Sequence, residues 1–348
     1  MQFKKAAAFG GGMVAVFASV ALITARLTHT NEPAVALSAC ASCTLVTEPD
    51  DGTGPLLAMI GHAARSVDLV LYELSDTQME SALAAAAERG IAVRVLLNGG
   101  YKGVPDGTAT INAGAFSFLQ AHGVAVRTAP SYFDLTHEKT LVVDDAEALI
   151  MSFNLVLKYY ATGRDFGVHD ADATDVAEVE AAFNADWDGN NNFQPSASDP
   201  ASNGDLVWSP GARPALLSLI NGATSSLDIY NEEMSDPAVI AALEDVARRG
   251  VTVRIVMTYS PEWEYAFQEL VASGAEVRTY NPTAALYIHA KVVVADDARA
   301  FVGSENFSAA SLDDNRELGI IVSNNAAIDG LEETFAADWH GATSFGSP

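Results

Sequence analysis

The chain has 348 residues, 49% hydrophobic and 18% charged, a composition that excludes a disordered polypeptide and leaves room for two ordinary domains or one large pseudo-symmetric unit. Against 19 Lys and Arg stand 45 Asp and Glu, for a formal charge of −26. Counter-ion release from phosphates needs basic groups, so so acidic a surface argues against non-specific nucleic-acid binding and against docking on anionic headgroups, though not against a small basic pocket.

Lys4-Lys5 precede an apolar or small stretch, residues 6–25, about long enough to cross a bilayer. Residues 1–44 are read as an export signal or a membrane or lipid anchor, and the protein is expected to be secreted, periplasmic or anchored at the cell envelope. Ala34-Val35-Ala36 offers a cleavage site and Leu37-Ser38-Ala39-Cys40 a lipoprotein-like box; an uncleaved anchor is the third reading. Cys40 and Cys43 have the spacing of a small local disulfide, or are spare thiols.

The remainder reads as two copies of one unit: residues 45–188, a polar linker 189–205, and residues 206–348. Ser66–Asp76 matches Ser226–Asp236, each an apolar strand running into a helix cap. Alanine- and leucine-rich helices over 77–90 and 237–250 stop at Gly90 and Gly250. Strands over 91–98 and 251–258 follow. Helices over roughly 111–122 and 262–273 come next, then strands over 124–129 and 275–280. The offset between the copies then falls from 160 to 152, which puts about eight extra residues into the Gly-rich stretch 99–110. Thr136–Val143 and Ile288–Ala295 are expected strands that turn at Asp144-Asp145 and Asp296-Asp297 and return over 149–153 and 300–304. Strands over 165–169 and 317–323 follow. Each copy closes on a helix ending Phe183-x-x-Asp186-Trp187 or Phe335-x-x-Asp338-Trp339. The expected class is α/β: two pseudo-symmetric halves, each a mixed β-sheet flanked by helices, with the active site between them.

The chemistry lies in a duplicated signature. His137-x-Lys139-x₄-Asp144 recurs as His289-x-Lys291-x₄-Asp296, Ser152 and Asn154 as Ser304 and Asn306, and Arg164-Asp165 as Arg316-Glu317. Side chains two apart on a strand share a face, so each histidine is aimed with its lysine. Lysine supplies a point charge and asparagine a neutral donor for the non-bridging oxygens of a phosphate, a clamp that tightens as charge builds in the transition state. One imidazole attacks phosphorus while the other protonates the leaving oxygen and then deprotonates the acceptor. Asp165 and Glu317, each 28 residues after its histidine, are the candidates for fixing the ring tautomers. Asp144 and Asp296 are expected to be structural turn residues; Ser152 and Ser304 line the site or cap local backbone. Tyr72, Glu73 and Glu233 end strands that face the site or pack locally. The other histidines, His29, His62, His122, His169 and His340, carry no expected chemistry. No metal-ligand cluster stands out, and the mechanism calls for no metal or cofactor.

On these residues the chain resembles the phospholipase D superfamily, with its paired His-x-Lys-x₄-Asp motifs and trailing Gly-Ser-x-Asn. His289, Lys291, Asp296, Gly303, Ser304 and Asn306 match throughout; the first copy departs at Met151, which replaces the glycine and is expected to crowd the backbone or reshape the pocket wall. The resemblance covers residues 50–342. It implies a metal-independent phosphodiesterase or transphosphatidylase acting through a phosphohistidine, with His137 as nucleophile and His289 as acid and base. Export, acidity and the lack of basic arms favour a phospholipase D-type hydrolase that takes glycerophospholipid from a membrane surface. The alternatives are an exported nuclease, a cardiolipin synthase-like transphosphatidylase, and a binding protein with a relic site. Arg248-Arg249 gives no basic stripe, so nucleic acid is not an expected partner. Two internal halves complete the site within one chain, and a monomer is expected. Headgroup and acceptor choice are left to loops 99–110, 129–136 and 258–264.

Overall fold

The computed structural model describes Cys40 and residues 42–100, 111–193 and 205–346. Most of the expected export segment, most of the Gly-rich stretch 99–110 and residues 194–204 of the expected linker lie outside these. Cys40 and Cys43 form a disulfide. Among the described residues no helix is long and apolar enough to cross a membrane.

Two mixed eight-stranded sheets carry the fold. The first runs β1 (Thr44–Glu48), β7 (Gly163–Asp170), β6 (Glu147–Met151), β5 (Thr140–Val143), β2 (Ser66–Leu71), β3 (Ala92–Leu97), β4 (Ala125–Thr128). Its eighth strand, β12 (Tyr287–Ile288), comes from the second half and pairs with β7. The second sheet runs β16 (Thr343–Ser344), β11 (Glu276–Tyr280), β10 (Thr252–Thr258), β9 (Ser226–Tyr230), β13 (Lys291–Ala295), β14 (Arg299–Gly303), β15 (Glu317–Val322), β8 (Leu206–Ser209).

The mixture follows from the connections. Strands joined through helices pair in parallel, and those joined by tight turns pair antiparallel. Thus β2, β3 and β4 are parallel through α2 (Thr77–Glu88) and α3 (Ala113–Ala121), as are β9, β10 and β11 through α6 (Pro237–Arg248) and α7 (Glu264–Ser273). The hairpins β5–β6 and β13–β14 turn on paired aspartates with positive φ, Asp144-Asp145 and Asp296-Asp297. Aspartate enters this left-handed region more readily than most residues. The helix caps expected at Asp76 and Asp236 are present, each carboxylate accepting from a first-turn backbone N–H. Two further helices, α1 (Gly54–His62) and α5 (Arg213–Gly222), were not separated by periodicity; each carries proline in its first turn.

Alternate residues of the hairpin strands feed different cores. Leu141, Val143, Leu149 and Met151 face the core under α1, α2 and α3, while Val142, Ala148 and Ile150 face a core shared with the second half. Val292, Val294, Ala300 and Val302 enter that shared core from the other sheet. The closing helices α4 (Ala173–Asp188) and α9 (Asn325–Gly341) add Val176 and Val179, and Ile328 and Phe335, to it.

Met151 does not line the cavity, so of the two effects expected from sequence the reshaped pocket wall is not found. It is fully buried and packs in the outer core of the first half. The repeat has redistributed bulk: Leu149, Met151 and Phe153 of the first half correspond to Phe301, Gly303 and Glu305 of the second. A Cβ on Gly303 would lie 2.5 Å from Gly319 Cα and 2.7 Å from Phe301 Cζ, because the larger Phe301 ring fills the space.

The strand expected over Thr136–Val143 begins its ladder only at Thr140. Upstream, Lys139 O still accepts from Met151 N of β6, but the N–H groups of His137 and Glu138 lie beyond the pairing with β2 and take no partner in their own sheet. The other half supplies one. His137 N and Glu138 N both donate to Arg316 O, each at 2.9 Å, and His289 N and Ala290 N donate to Arg164 O at 3.2 and 2.9 Å. The side chains of the same two arginines also pair across the halves. Arg164 Nε donates to Asp338 Oδ2 at 2.7 Å, and Arg316 Nε and Nη2 donate to the two oxygens of Asp186 at 2.8 and 3.0 Å. All four side chains are buried.

Two stability changes follow. Arg316→Met strands the Asp186 carboxylate and should cost about 3–5 kcal/mol in urea unfolding, with most of it recovered in Arg316→Met/Asp186→Leu. Gly303→Ala overpacks the core and should cost about 1–3 kcal/mol in the same assay.

Candidate active site

Both signature histidines open onto one cavity of about 920 Å³ between the sheets, walled by Asn154 and Asn306, Tyr72 and Glu232, and Glu73 and Glu233. Lys139 and Lys291 are buried, 1% and 0% exposed, beside Tyr72 and Glu232 respectively.

The expected histidine–carboxylate pairs form, but crossed between the halves. Glu317 Oε2 lies 2.7 Å from His137 Nδ1, and Asp165 Oδ1 lies 2.8 Å from His289 Nδ1. The crossing is a direct result of the backbone bonds to Arg164 and Arg316. Each histidine segment lies alongside the arginine of the opposite half, and the next residue in that chain is the acid. A carboxylate only accepts, so Nδ1 of His137 carries the hydrogen and Nε2 presents its lone pair.

The supporting shells differ. Ser152 Oγ donates to Asp165 Oδ1 at 2.6 Å and accepts from Phe166 N at 2.9 Å. Ser304 Oγ donates to Leu318 O at 3.4 Å and accepts from Leu318 N at 3.2 Å, and Glu317 instead receives Ser311 Oγ at 2.6 Å and Asn315 Nδ2 at 3.0 Å. Asp144 accepts from the backbone N–H groups of residues 64–66 and Asp296 from those of 224–226, away from the cavity. Burial pushes both carboxyls up, but the several backbone bonds together hold them below the usual range. Asn154 Oδ1 accepts from Glu73 N at 3.2 Å, and Asn306 Nδ2 donates to Glu233 Oε1 at 3.3 Å.

Burial pushes the His137 imidazole down to about 4; Glu317 opposes this and Lys139 adds to it. Burial, then the facing Lys291, pushes Lys139 down to about 7. For Glu317 burial acts upward, but His137 and then Lys139 bring the carboxyl below its usual range. Each lysine also donates to the backbone carbonyl of its own histidine.

Four residues of this site carried no repeat signal and were missed from sequence. Ser311 and Asn315 hold Glu317. Glu48 is the ladder partner of Asp165, is buried, and lines the cavity; burial and then Asp165 push its carboxyl up to about 7. Glu232 accepts from Lys291 Nζ at 3.0 Å and lies 3.4 Å from His289 Nε2. Burial acts upward on Glu232, but Lys291 and then His289 hold it well below the carboxylate range. Glu232 was legible only as the residue that breaks the repeat, standing where the first half has Tyr72. Of the remaining histidines, His62 and His169 both pair with Glu147. Trp187 and Trp339 lie under Arg127 and Arg278.

Among the described residues, two clusters have metal-ligand proximity, and neither lines the cavity. In Cys40, Cys43 and Asp170 the sulfurs are joined. In Asp68, Asp145 and Glu180 the Arg94 guanidinium already bridges Asp68 and Glu180.

A family model described as "Cardiolipin synthase, PLD-like domain" matches twice, over residues 56–187 and 216–339. A cardiolipin synthase of Listeria monocytogenes (strain HCC23) is 23% identical over 81% of this chain and 66% of its own length. One of Clostridium perfringens (strain SM101) is 25% identical over 58% of this chain and 49% of its own. The chain thus spans about half to two thirds of the curated relatives it matches. The fold is shared with phosphatidylserine synthase of Haemophilus influenzae, at a TM-score of 0.69 and 14% identity over 90% of each chain. It is also shared with polyphosphate kinase of Porphyromonas gingivalis, at 0.65 and 14% over 86% of this chain and 47% of that one. With two matched copies that cover most of its length, the chain belongs to the phospholipase D-like domain family described by that model.

Proposed function

We propose that this protein is a transphosphatidylase of cardiolipin synthase type, moving a phosphatidyl group from one alcohol to another through a phosphohistidine, with no metal or cofactor. The observation that carries the reading is the crossed pair of carboxylate-oriented histidines on one cavity. His137 Nε2 attacks phosphorus while the bond to the leaving oxygen breaks, and His289 supplies that oxygen's proton. His289 then takes the proton of an acceptor hydroxyl, whose oxygen displaces His137 from phosphorus. Glu317 and Asp165 keep the rings in register for both steps. Lys139, Lys291, Asn154 and Asn306 are assigned to the non-bridging oxygens.

Water in place of the alcohol gives the hydrolysis that sequence alone favoured, by the same steps. The names of the relatives weigh toward an alcohol acceptor. Export, read from residues 1–44, belongs to the same proposal and would present the site to membrane glycerophospholipid.

The test is incubation with phosphatidylglycerol in the presence of EDTA. Cardiolipin and glycerol are the expected products; phosphatidic acid and glycerol alone would replace transfer with hydrolysis, and cleavage of single-stranded DNA with inert lipid would replace both. His137→Ala and His289→Ala should abolish turnover. Glu317→Gln should lower kcat by about 10² or more with little change in KM, since the group acts on the ring and not on the substrate.

A pH profile of kcat/KM adds an independent check. His137 must be neutral to attack, so its lowered pKa keeps it competent until pH falls to about 4. Lys139 must be charged to bind phosphate, so its lowered pKa withdraws the clamp as pH rises through about 7. A bell with limbs near those values is expected; a profile flat from pH 5 to 9, on the order of a twofold change, would contradict the assignment.

A further inference from the structure

Glu232 holds the two atoms that the proposed reaction gives to the substrate's phosphate group. Its Oε2 accepts from Lys291 Nζ at 3.0 Å and faces His289 Nε2 at 3.4 Å, and its Oε1 accepts from the Tyr287 hydroxyl at 3.0 Å. Carboxylate and phosphate oxygens are both anionic acceptors, so they suit the same donors. Lys291 is fully buried, and a buried ammonium needs an anionic partner. The first half is built otherwise. Its equivalent residue is Tyr72, whose ring packs edge-on against His137 with centroids 4.9 Å apart.

We propose that Glu232 is a specificity residue that competes with the substrate phosphate for Lys291 and His289, and so selects singly charged phosphodiesters over doubly charged monoesters. The inference rests on the proposed reading of Lys291 as a phosphate-binding group and of His289 as the acid and base beside it. A phosphate that takes Lys291 displaces the Glu232 carboxylate, which stays close by because its backbone follows the end of β9 by only two residues. The displaced charge repels the bound anion, and the repulsion grows with the charge on that anion. A diester carries one negative charge. A monoester or inorganic phosphate carries up to two near neutral pH and meets about twice the penalty. The enzyme thereby accepts an intact phospholipid diester and disfavours phosphatidic acid, the monoester that hydrolysis would leave behind. Tyr287 takes part by tethering the second carboxylate oxygen from β12, which is paired to the other half.

The experiment is calorimetric titration of the full chain with inorganic phosphate and, separately, with dimethyl phosphate. Glu232→Gln keeps the side-chain shape and removes the charge. It should bind inorganic phosphate about tenfold tighter or more, with a clearly smaller gain for dimethyl phosphate. Tyr287→Phe, which removes only the tether, should shift phosphate in the same direction by a smaller factor. No gain, or an equal gain for both ligands, overturns the proposal. Lys291→Met separates the two levels of the argument. If it leaves wild-type-like phosphate binding, the phosphate-site reading itself fails; if it abolishes binding while Glu232→Gln changes nothing, only the role of Glu232 fails.

Discussion

Each histidine of this protein is held by the opposite half, and the whole site depends on that exchange. His137, Glu138, His289 and Ala290 lie outside the ladders of their own sheets, and their N–H groups donate to the carbonyls of Arg316 and Arg164 instead. Unpaired buried N–H groups are costly, which makes this pairing close to obligatory. Once it forms, the acid that follows each arginine lies beside the foreign histidine. The arginine side chains then reach Asp338 and Asp186 on the closing helices of the opposite halves. One short segment in each copy thus fixes the interface, the ring tautomers and the distance between the sheets together.

The symmetry is exact in the reacting groups and broken around them. Ser152 supports Asp165 directly, whereas Glu317 relies on Ser311 and Asn315. Met151 and Gly303 differ because neighbouring side chains exchange volume with them, a packing matter confined to the cores. Tyr72 and Glu232 differ where it affects chemistry, since one presents a ring to its histidine and the other a carboxylate. In the proposed cycle the two rings play different parts, and the substitutions around them supply different surroundings without touching the signature.

A strongly acidic chain is compatible with the proposed anion-binding site because the two signature lysines are buried. Lys139 and Lys291 lie below the cavity wall, where a low local dielectric would strengthen the hold on a phosphate proposed for them. The same burial presses Lys139 toward neutrality, and only nearby carboxylates oppose it. A surface of opposite sign therefore costs the site little, while it keeps polyanions from binding indiscriminately.

Much of this was legible in the sequence, and the reason is duplication. A repeat gives every motif an internal control: His137 and His289, Asp165 and Glu317, and the Asp-Trp helix ends all announced themselves by recurring at one offset. Strand and helix order followed from periodicity and glycine stops, because those signals are local. The partners of the repeated residues were not legible. Asp165 and Glu317 read as servants of their own histidines and turned out to serve the other's, since a one-dimensional pattern cannot show which edge of which sheet an unpaired segment will join. Glu48, Glu232, Ser311 and Asn315 carried no repeat signal, and only the packing of the two halves brought them to the cavity. Recurrence along the chain was enough to single out the candidate residues and the elements that bear them; which of them meet depends on how the two halves pack, because hydrogen-bond satisfaction across the interface is a property of both halves together.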